Sequence, residues 1–348
     1  MMLTRRRFVL SGSAAMAASL LPRMSVAANK NWQNLAPIPV PLQEIYPCIF
    51  KNRIVIAGAL ELAQEGAGLM GNMSPSRSVH LYDFQQDIWH KGPELPEPRH
   101  HLGLAANHQS LFAIGGFSSD KQDPWKIESQ VWQLSSLSDS WQSVTALPGP
   151  QAEAGYSFLG KDLHVVGGRT LINGHSTDTA AHYFYDDTSW QSAAPLPLAR
   201  NSFSCLVHND GLLVVGGRIY KKRHENQARV DFYEKKTDRW FELAPMPKAS
   251  AGTAAAIWQG ELFVFGGEAY HFTQQGDKWA LTSSEAFDQI WHYQFSSDKW
   301  QTLPITMSST RHGLGAVATS QGIYLLGGAK QAGSGEVTTL LEKFTYLG

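Results

Sequence analysis

Two cysteines in 348 residues, Cys48 and Cys205, are too few for a disulfide-stapled scaffold or a cysteine-built zinc site. The chain has no HExxH pair, no paired CxxC, no repeated acidic calcium loop, no Gly-x-Ser-x-Gly elbow and no phosphate loop. The common signatures of zinc hydrolysis, calcium binding, α/β-hydrolase chemistry and P-loop nucleotide binding are therefore missing. No basic tract is present either, and the formal charge is −1. Removing residues 1–28 takes away four arginines and leaves 25 Lys and Arg against 30 Asp and Glu. Such a chain is not a general nucleic-acid binder. Among 13 histidines, His100 and His101 stand together. Adjacent strand residues point to opposite faces, so the expectation is that this pair does not share a metal and that no cofactor is needed.

The N-terminus supplies a basic cluster (Arg5, Arg6, Arg7), an apolar stretch from Phe8 to Leu21 and small residues up to Ala28. Residues 1–28 are expected to be a removable export signal, too short and too rich in Ala and Ser to span a membrane. Thr4-Arg5-Arg6-Arg7-Phe8-Val9-Leu10 resembles the twin-arginine address, an ordinary secretory signal being the alternative. The expected location is periplasmic or otherwise exported, with no membrane span in the mature protein.

What the chain does contain is a repeat. Gly-Gly doublets at Gly115-Gly116, Gly167-Gly168, Gly216-Gly217, Gly266-Gly267 and Gly327-Gly328 each end an apolar run, and a degenerate copy, IVIAG, ends at Gly58. They lie 52, 49, 50 and 61 residues apart, which is the period of a unit repeated within one body. Each doublet is preceded by a hairpin pattern, as in Tyr156 to Leu159 and Leu163 to Val166 around Gly160-Lys161-Asp162. Downstream an aromatic precedes a tryptophan by seven residues: Tyr82 and Trp89, Tyr183 and Trp190, Tyr233 and Trp240, Tyr293 and Trp300, with Leu134 before Trp141 as the departure. Every unit thus supplies four antiparallel strands, and sheets with two apolar faces must stack on copies of themselves.

This combination of apolar run, Gly-Gly, tyrosine and tryptophan resembles the kelch repeat and covers nearly all of residues 29–348. The resemblance implies an all-β fold, a six-bladed kelch β-propeller. Trp32 has no doublet before it and the last unit has no tryptophan after it, so residues 32–36 are expected to form the outer strand of blade six. Cys48 and Cys205 then fall on opposite blades, as free and buried thiols.

Two sets of residues should meet at one mouth of such a ring. One follows the doublets: Phe117, Arg169, Arg218, Glu268 and Ala329, with Ala59 in the degenerate copy. The other opens the inner strands: Arg99, His100 and His101; Glu153; Arg200, Asn201 and Ser202; Ser250; Arg311 and His312; Glu44. Arginines at equivalent places in ligand-binding kelch propellers contact acidic ligands, which implies Arg169, Arg218, Arg99, Arg311, His312 and Ser202 as ligand-binding candidates. Arg169 and Arg218 read either as a clamp for a carboxylate or as partners of Glu153 and Glu268. The recurring Arg99, Arg200 and Arg311 favour an architectural role. The segments 59–76 and 268–285 are longer than their counterparts and should project from the same mouth as a rim or lid for a ligand or a protein partner.

Three functions are compatible with this pattern. The first is an exported module binding a small acidic or sugar-like ligand or a protein. The second is implied by a loose similarity to sialic-acid mutarotases: cofactor-free sugar anomer exchange, with Glu268, Glu153 and His101 as acid and base candidates. The third is a docking propeller in an envelope assembly. Kelch domains also occur in copper radical oxidases, but these need a Cys crosslinked to a Tyr, and both cysteines here sit in apolar inner strands.

Overall fold

The computed structural model describes residues 30–63, 72–119, 123, 125–333 and 335–346. Six four-stranded antiparallel sheets follow one another along these residues, each built in the order the repeat predicts. Blade 4 is representative: Ser204–His208, Gly211–Val215, Val230–Glu234 and Arg239–Leu243 lie side by side from the axis outward. The other innermost strands are Cys48–Phe50, Gly103–Ala106, Gly155–Leu159, Ala254–Trp258 and Gly315–Thr319. Blade 6 closes the ring. Its outer strand is Trp32–Asn34, paired antiparallel with Leu341–Phe344 so that Trp32 faces Phe344.

The repeated residues act between blades more than within them. Each repeat tryptophan donates its indole N–H to a carbonyl of the preceding blade's outgoing loop: Trp89 to Ala36, Trp141 to Pro93, Trp190 to Thr145, Trp240 to Ala194, Trp300 to Ala244 and Trp32 to Thr306. In blade 4 the same loop is held twice, because Asp238 accepts from the Ala194 N–H at 2.7 Å and from Tyr233 Oη at 2.9 Å. Asp87 with Tyr82 and Asp298 with Tyr293 repeat the device at Ala36 and Ala244.

The doublets stitch each blade to the next. The second glycine donates its N–H to the residue that opens the following blade, as from Gly116 to Gln151 O (2.9 Å) and from Gly267 to Arg311 O (2.8 Å). A Cβ at the first glycine would lie 2.2 Å from that carbonyl at both Gly115 and Gly266. A neighbouring backbone, more than an adjoining aromatic ring, is thus what excludes a side chain. Gly266→Ala is expected to cost on the order of 3 kcal/mol, from overpacking together with a left-handed φ of 60°. Chemical denaturation would check it.

The degenerate copy shows the same geometry. Gly58 and Ala59 have φ of 69° and 84°, so Ala59 occupies the second glycine position and Leu60, not Ala59, follows the doublet. Cys48 and Cys205 are free, as expected, but half-buried rather than buried. They lie on innermost strands of blades 1 and 4 and line a cavity of about 420 Å³ on the axis.

Candidate functional site

Every doublet is followed by a short hairpin, and these six hairpins crown one end of the axis. They are Phe117–Ser118 with Lys126–Ile127, Arg169–Ile172 with His175–Asp178, Arg218–Tyr220 with His224–Asn226, Glu268–Gln275 with Lys278–Ala286, Ala329–Gln331 with Gly335–Val337, and Leu60–Leu62 with Met73–Pro75. The two long segments expected to form a rim are therefore enlarged members of a complete crown. Of the first, Glu65 and Met70 lie outside the described residues. The second is a regular hairpin with a bulge between His271 and Phe272, and Trp279 near its tip carries the Arg223 guanidinium 3.6 Å from its ring.

The residues after the doublets are joined by single β-bridges to the inner-strand openings: His100 with Phe117, Asn201 with Arg218 and His312 with Ala329, as the sequence sets pair them, and Ala152 with Arg169 and Ala251 with Glu268, where the sequence pointed to the neighbouring Glu153 and Ser250. The next residue in each blade turns onto the axis. Glu44, His101, Glu153, Ser202, Gly252 and Gly313 all have φ between 49° and 61°. Backbone N–H groups of Glu153, Ser202, Gly252 and Gly313 bond to the carbonyl of the preceding member of this ring, which constricts the channel. On the crown side of this constriction lies a chamber of about 580 Å³.

The floor of the chamber is a closed circuit with one side chain from each blade. His101 lies 3.1 Å from Glu44 and 3.7 Å from Glu153; Arg218 lies 3.4 Å from Glu153 and 2.7 Å from Glu268; His312 lies 3.5 Å from Glu268 and 3.9 Å from Glu44. Three carboxylates thus alternate with two imidazoles and a guanidinium. The glycines of blades 5 and 6 make room for it, since a Cβ on Gly313 would meet Glu44 Oε1 at 2.7 Å. Glu268 is the most constrained member, accepting from Arg218, from Tyr270 Oη at 3.0 Å and from the Gly333 N–H at 2.9 Å. Phe117, Trp125, Tyr220 and Tyr270 form aromatic walls above the floor.

Burial alone would raise the Glu44 carboxyl, but His101, His312 and Arg218 outweigh it and bring Glu44 down to about 2. Burial likewise opposes the His101 imidazolium, yet Glu44 and Glu153 raise its pKa above the ordinary value. Glu268 is lowered against its own desolvation by His312, Arg218 and the Gly333 N–H, and Arg218 is raised against its desolvation by Glu268 and Glu153. The lowered Glu44 contributes stability present above about pH 4.5 and lost as pH falls towards 2. The raised His101 contributes stability fully present below about 6.5 and lost as pH rises through its folded value. Stability from the circuit is therefore greatest between those limits. Melting temperatures measured across pH should show a lower maximum in His101→Gln, with the alkaline-side decline that His101 causes removed.

Of the sequence candidates, Glu268, Glu153, His101, Arg169 and Arg218 line the chamber, and His312 completes the circuit beneath it. Ser202 lies under the floor, its hydroxyl shared between Glu153 Oε1 and Asn201 Oδ1. Arg99 and Arg311 are not in the site. Both are completely buried: Arg99 lies over the Trp132 ring with Glu97 at its guanidinium, and Arg311 pairs with Glu342 and donates to Gly327 O. Arg200 is the third of this kind, bonding Gly216 O, Val214 O and Asp231. Arg218 takes the carboxylate-paired alternative, whereas Arg169 has no ion pair among the described residues and its buried Nε has no hydrogen-bond partner. The strand-alternation argument fails at His100 and His101: the left-handed φ of His101 swings the rings together, with the two Nδ1 atoms 2.6 Å apart. Among the described residues no group of three or more His, Cys, Asp or Glu is arranged to hold a metal, and no helix is long and apolar enough to cross a membrane.

Six sheets of this pattern around an axis define a kelch β-propeller. The chain belongs to the Attractin/LZTR1 β-propeller family, whose model matches residues 66–338. It is similar to mouse Kelch-like protein 40, 29% identical over 66% of this chain and 35% of that protein. It is also similar to Kelch-like protein terF of Aspergillus terreus, 25% identical over 68% of this chain and 52% of that protein. Beta-scruin of Limulus polyphemus is 22% identical over 91% of this chain and 34% of that protein. The chain thus spans about a third to a half of the curated relatives it matches. Among solved structures, that of YjhT superimposes with a TM-score of 0.73 at 17% identity, covering 88% of this chain and 95% of the other, a likeness of fold.

Proposed function

We propose that the protein binds a small polyhydroxylated ligand carrying an acidic group, in the manner of an acidic sugar, in the crown-side chamber. The observation that carries this reading is Arg169: a chamber-lining cation whose buried Nε lacks a hydrogen-bond partner, beside a floor whose other guanidinium is neutralised by two glutamates. The ligand's acidic group would take Arg169, its hydroxyls the donors and acceptors of the floor, and its apolar face the aromatic walls. The chamber volume suits a ligand of that size. Thermal shift with N-acetylneuraminate as probe tests it. Stabilisation that grows with ligand concentration and disappears in Arg169→Ala is expected; an equal response in both proteins would count against the proposal. With residues 1–28 as an export signal, this binding would occur outside the cytoplasm, and the N-terminal sequence of secreted or periplasmic material would check that location.

A second reading is anomer exchange, favoured by the juxtaposition of His101 with Glu44 and Glu153. In that reaction a base takes the proton of the anomeric hydroxyl and an acid protonates the ring oxygen as the ring C–O bond breaks. Closure on the other face of the carbonyl then returns both protons. Proton NMR of freshly dissolved α-N-acetylneuraminate would show accelerated exchange, lost in Glu153→Gln, if this reading holds; an unaccelerated rate would remove it.

A further inference from the structure

A second cleft, of about 370 Å³, opens between blades 5 and 6 towards the opposite end of the axis. The repeat itself provides its control. His208 ends the innermost strand of blade 4, and Phe295 of blade 5 stacks on it with ring centroids 3.6 Å apart, closing the gap between those blades. One blade further round, the corresponding residues are Trp258 and Tyr346. These two rings instead each meet Phe263, at 6.4 and 5.8 Å.

The cleft that results holds three buried polar atoms without hydrogen-bond partners. Trp258 is 7% exposed and His292 6% exposed, yet Trp258 Nε1 and His292 Nδ1 make no hydrogen bond. A buried donor left unmatched costs stability, so its retention calls for a reason. Glu261 Oε2 is the third such atom: it sits 2.8 Å from His292 Nε2 without making a hydrogen bond to it. An indole N–H and a carboxylate oxygen, each without a partner, together ask for a group that accepts and donates at once, which is what a hydroxyl does. Gln294 and Gln301 add amide groups to the lining, and no Lys or Arg belongs to it. An anionic ligand would lose its hydration there with no Lys or Arg to receive it.

We propose that this cleft is a binding site for a neutral saccharide unit, whose apolar face packs on Trp258 or Tyr346 and whose hydroxyls engage Trp258 Nε1, Glu261 Oε2, His292 Nδ1 and the glutamine amides. It is separate from the crown-side chamber and does not depend on it. The test follows the indole resonance of Trp258 in protein carrying ¹⁵N-tryptophan, assigned through Trp258→Phe, during titration with chitotetraose, cellotetraose and maltotetraose. At least one of these should shift that resonance saturably. Trp258→Phe, which keeps a ring but removes the donor, and His292→Phe should each weaken binding, read by saturation-transfer NMR of the same saccharide, by about tenfold. Circular dichroism would confirm that both variants are folded. The proposal is overturned if no saccharide moves the resonance at millimolar concentration, if Trp258→Phe binds as tightly as the parent, or if only an uncharged peptide amide binds.

Discussion

Deleting residues 29–40 should destabilise the ring by on the order of 5 kcal/mol or more, a large part of the stability of an ordinary domain. The segment supplies the outer strand of blade 6, and the structure makes it a working member of two junctions. Trp32 packs on Phe344 with centroids 4.8 Å apart and donates to Thr306 O; the Leu35 and Ile38 N–H groups bond to Leu341 O and Thr339 O. Ile38 is 1% exposed. Ala36 is the loop residue that Trp89 and Asp87 of blade 1 hold, so the deletion also undoes the clamp joining blade 6 to blade 1. Loss of cooperative thermal unfolding is expected, with partial recovery on adding a synthetic peptide of residues 29–40. An unchanged melting temperature in the truncated protein would contradict closure by this strand.

The second large effect is expected at Arg311. Its guanidinium is wholly buried against Glu342, itself 1% exposed, so Arg311→Met leaves a carboxylate in the core with its partner gone. A cost of about 3–5 kcal/mol is expected. The paired replacement Arg311→Met with Glu342→Leu should recover most of it, because no buried charge then remains. Urea denaturation of the two variants separates the outcomes. Equal stability of the single and double variants would mean that the pair is solvated in a way the structure does not show.

These two predictions differ in how visible they were in the sequence. The seam at Trp32 could be read from spacing, since a repeat that begins with its last strand announces how it closes. Arg311 was not separable from Arg169 by residue type, but its recurrence with Arg99 and Arg200 before the inner strand favoured the architectural role it has. Both are arginines near one mouth, but Arg169 directly follows a doublet, whereas Arg311 stands two residues before the left-handed Gly313 of its own blade. Register also hid the centre of the site. The inner-strand openings were aligned on charged residues, whereas the geometry aligns on left-handed backbone, placing Glu44, His101 and Glu153 level with Gly252 and Gly313. Two glycines in one half of the ring leave space into which Glu44 leans, and nothing in the local sequence of either blade signals that complementarity. Glu44 was legible as an inner-strand opening but not as a site residue, because it stands in the copy whose doublet has decayed to Gly58-Ala59. The adjacent histidines were misjudged for a related reason: period-two alternation holds within a strand, and His101 is the residue at which the strand has not yet begun.

The central claim is that the crown-side chamber, with Arg169 above a neutralised acid and base floor, is a ligand site. Isothermal titration of N-acetylneuraminate into the parent protein and into Arg169→Ala tests it most directly. The account predicts saturable one-site heat in the parent, at least tenfold weaker binding in the variant, as expected for loss of a charge-assisted hydrogen bond, and equal melting temperatures without ligand. Identical isotherms for the two proteins, or no heat from either, would contradict it.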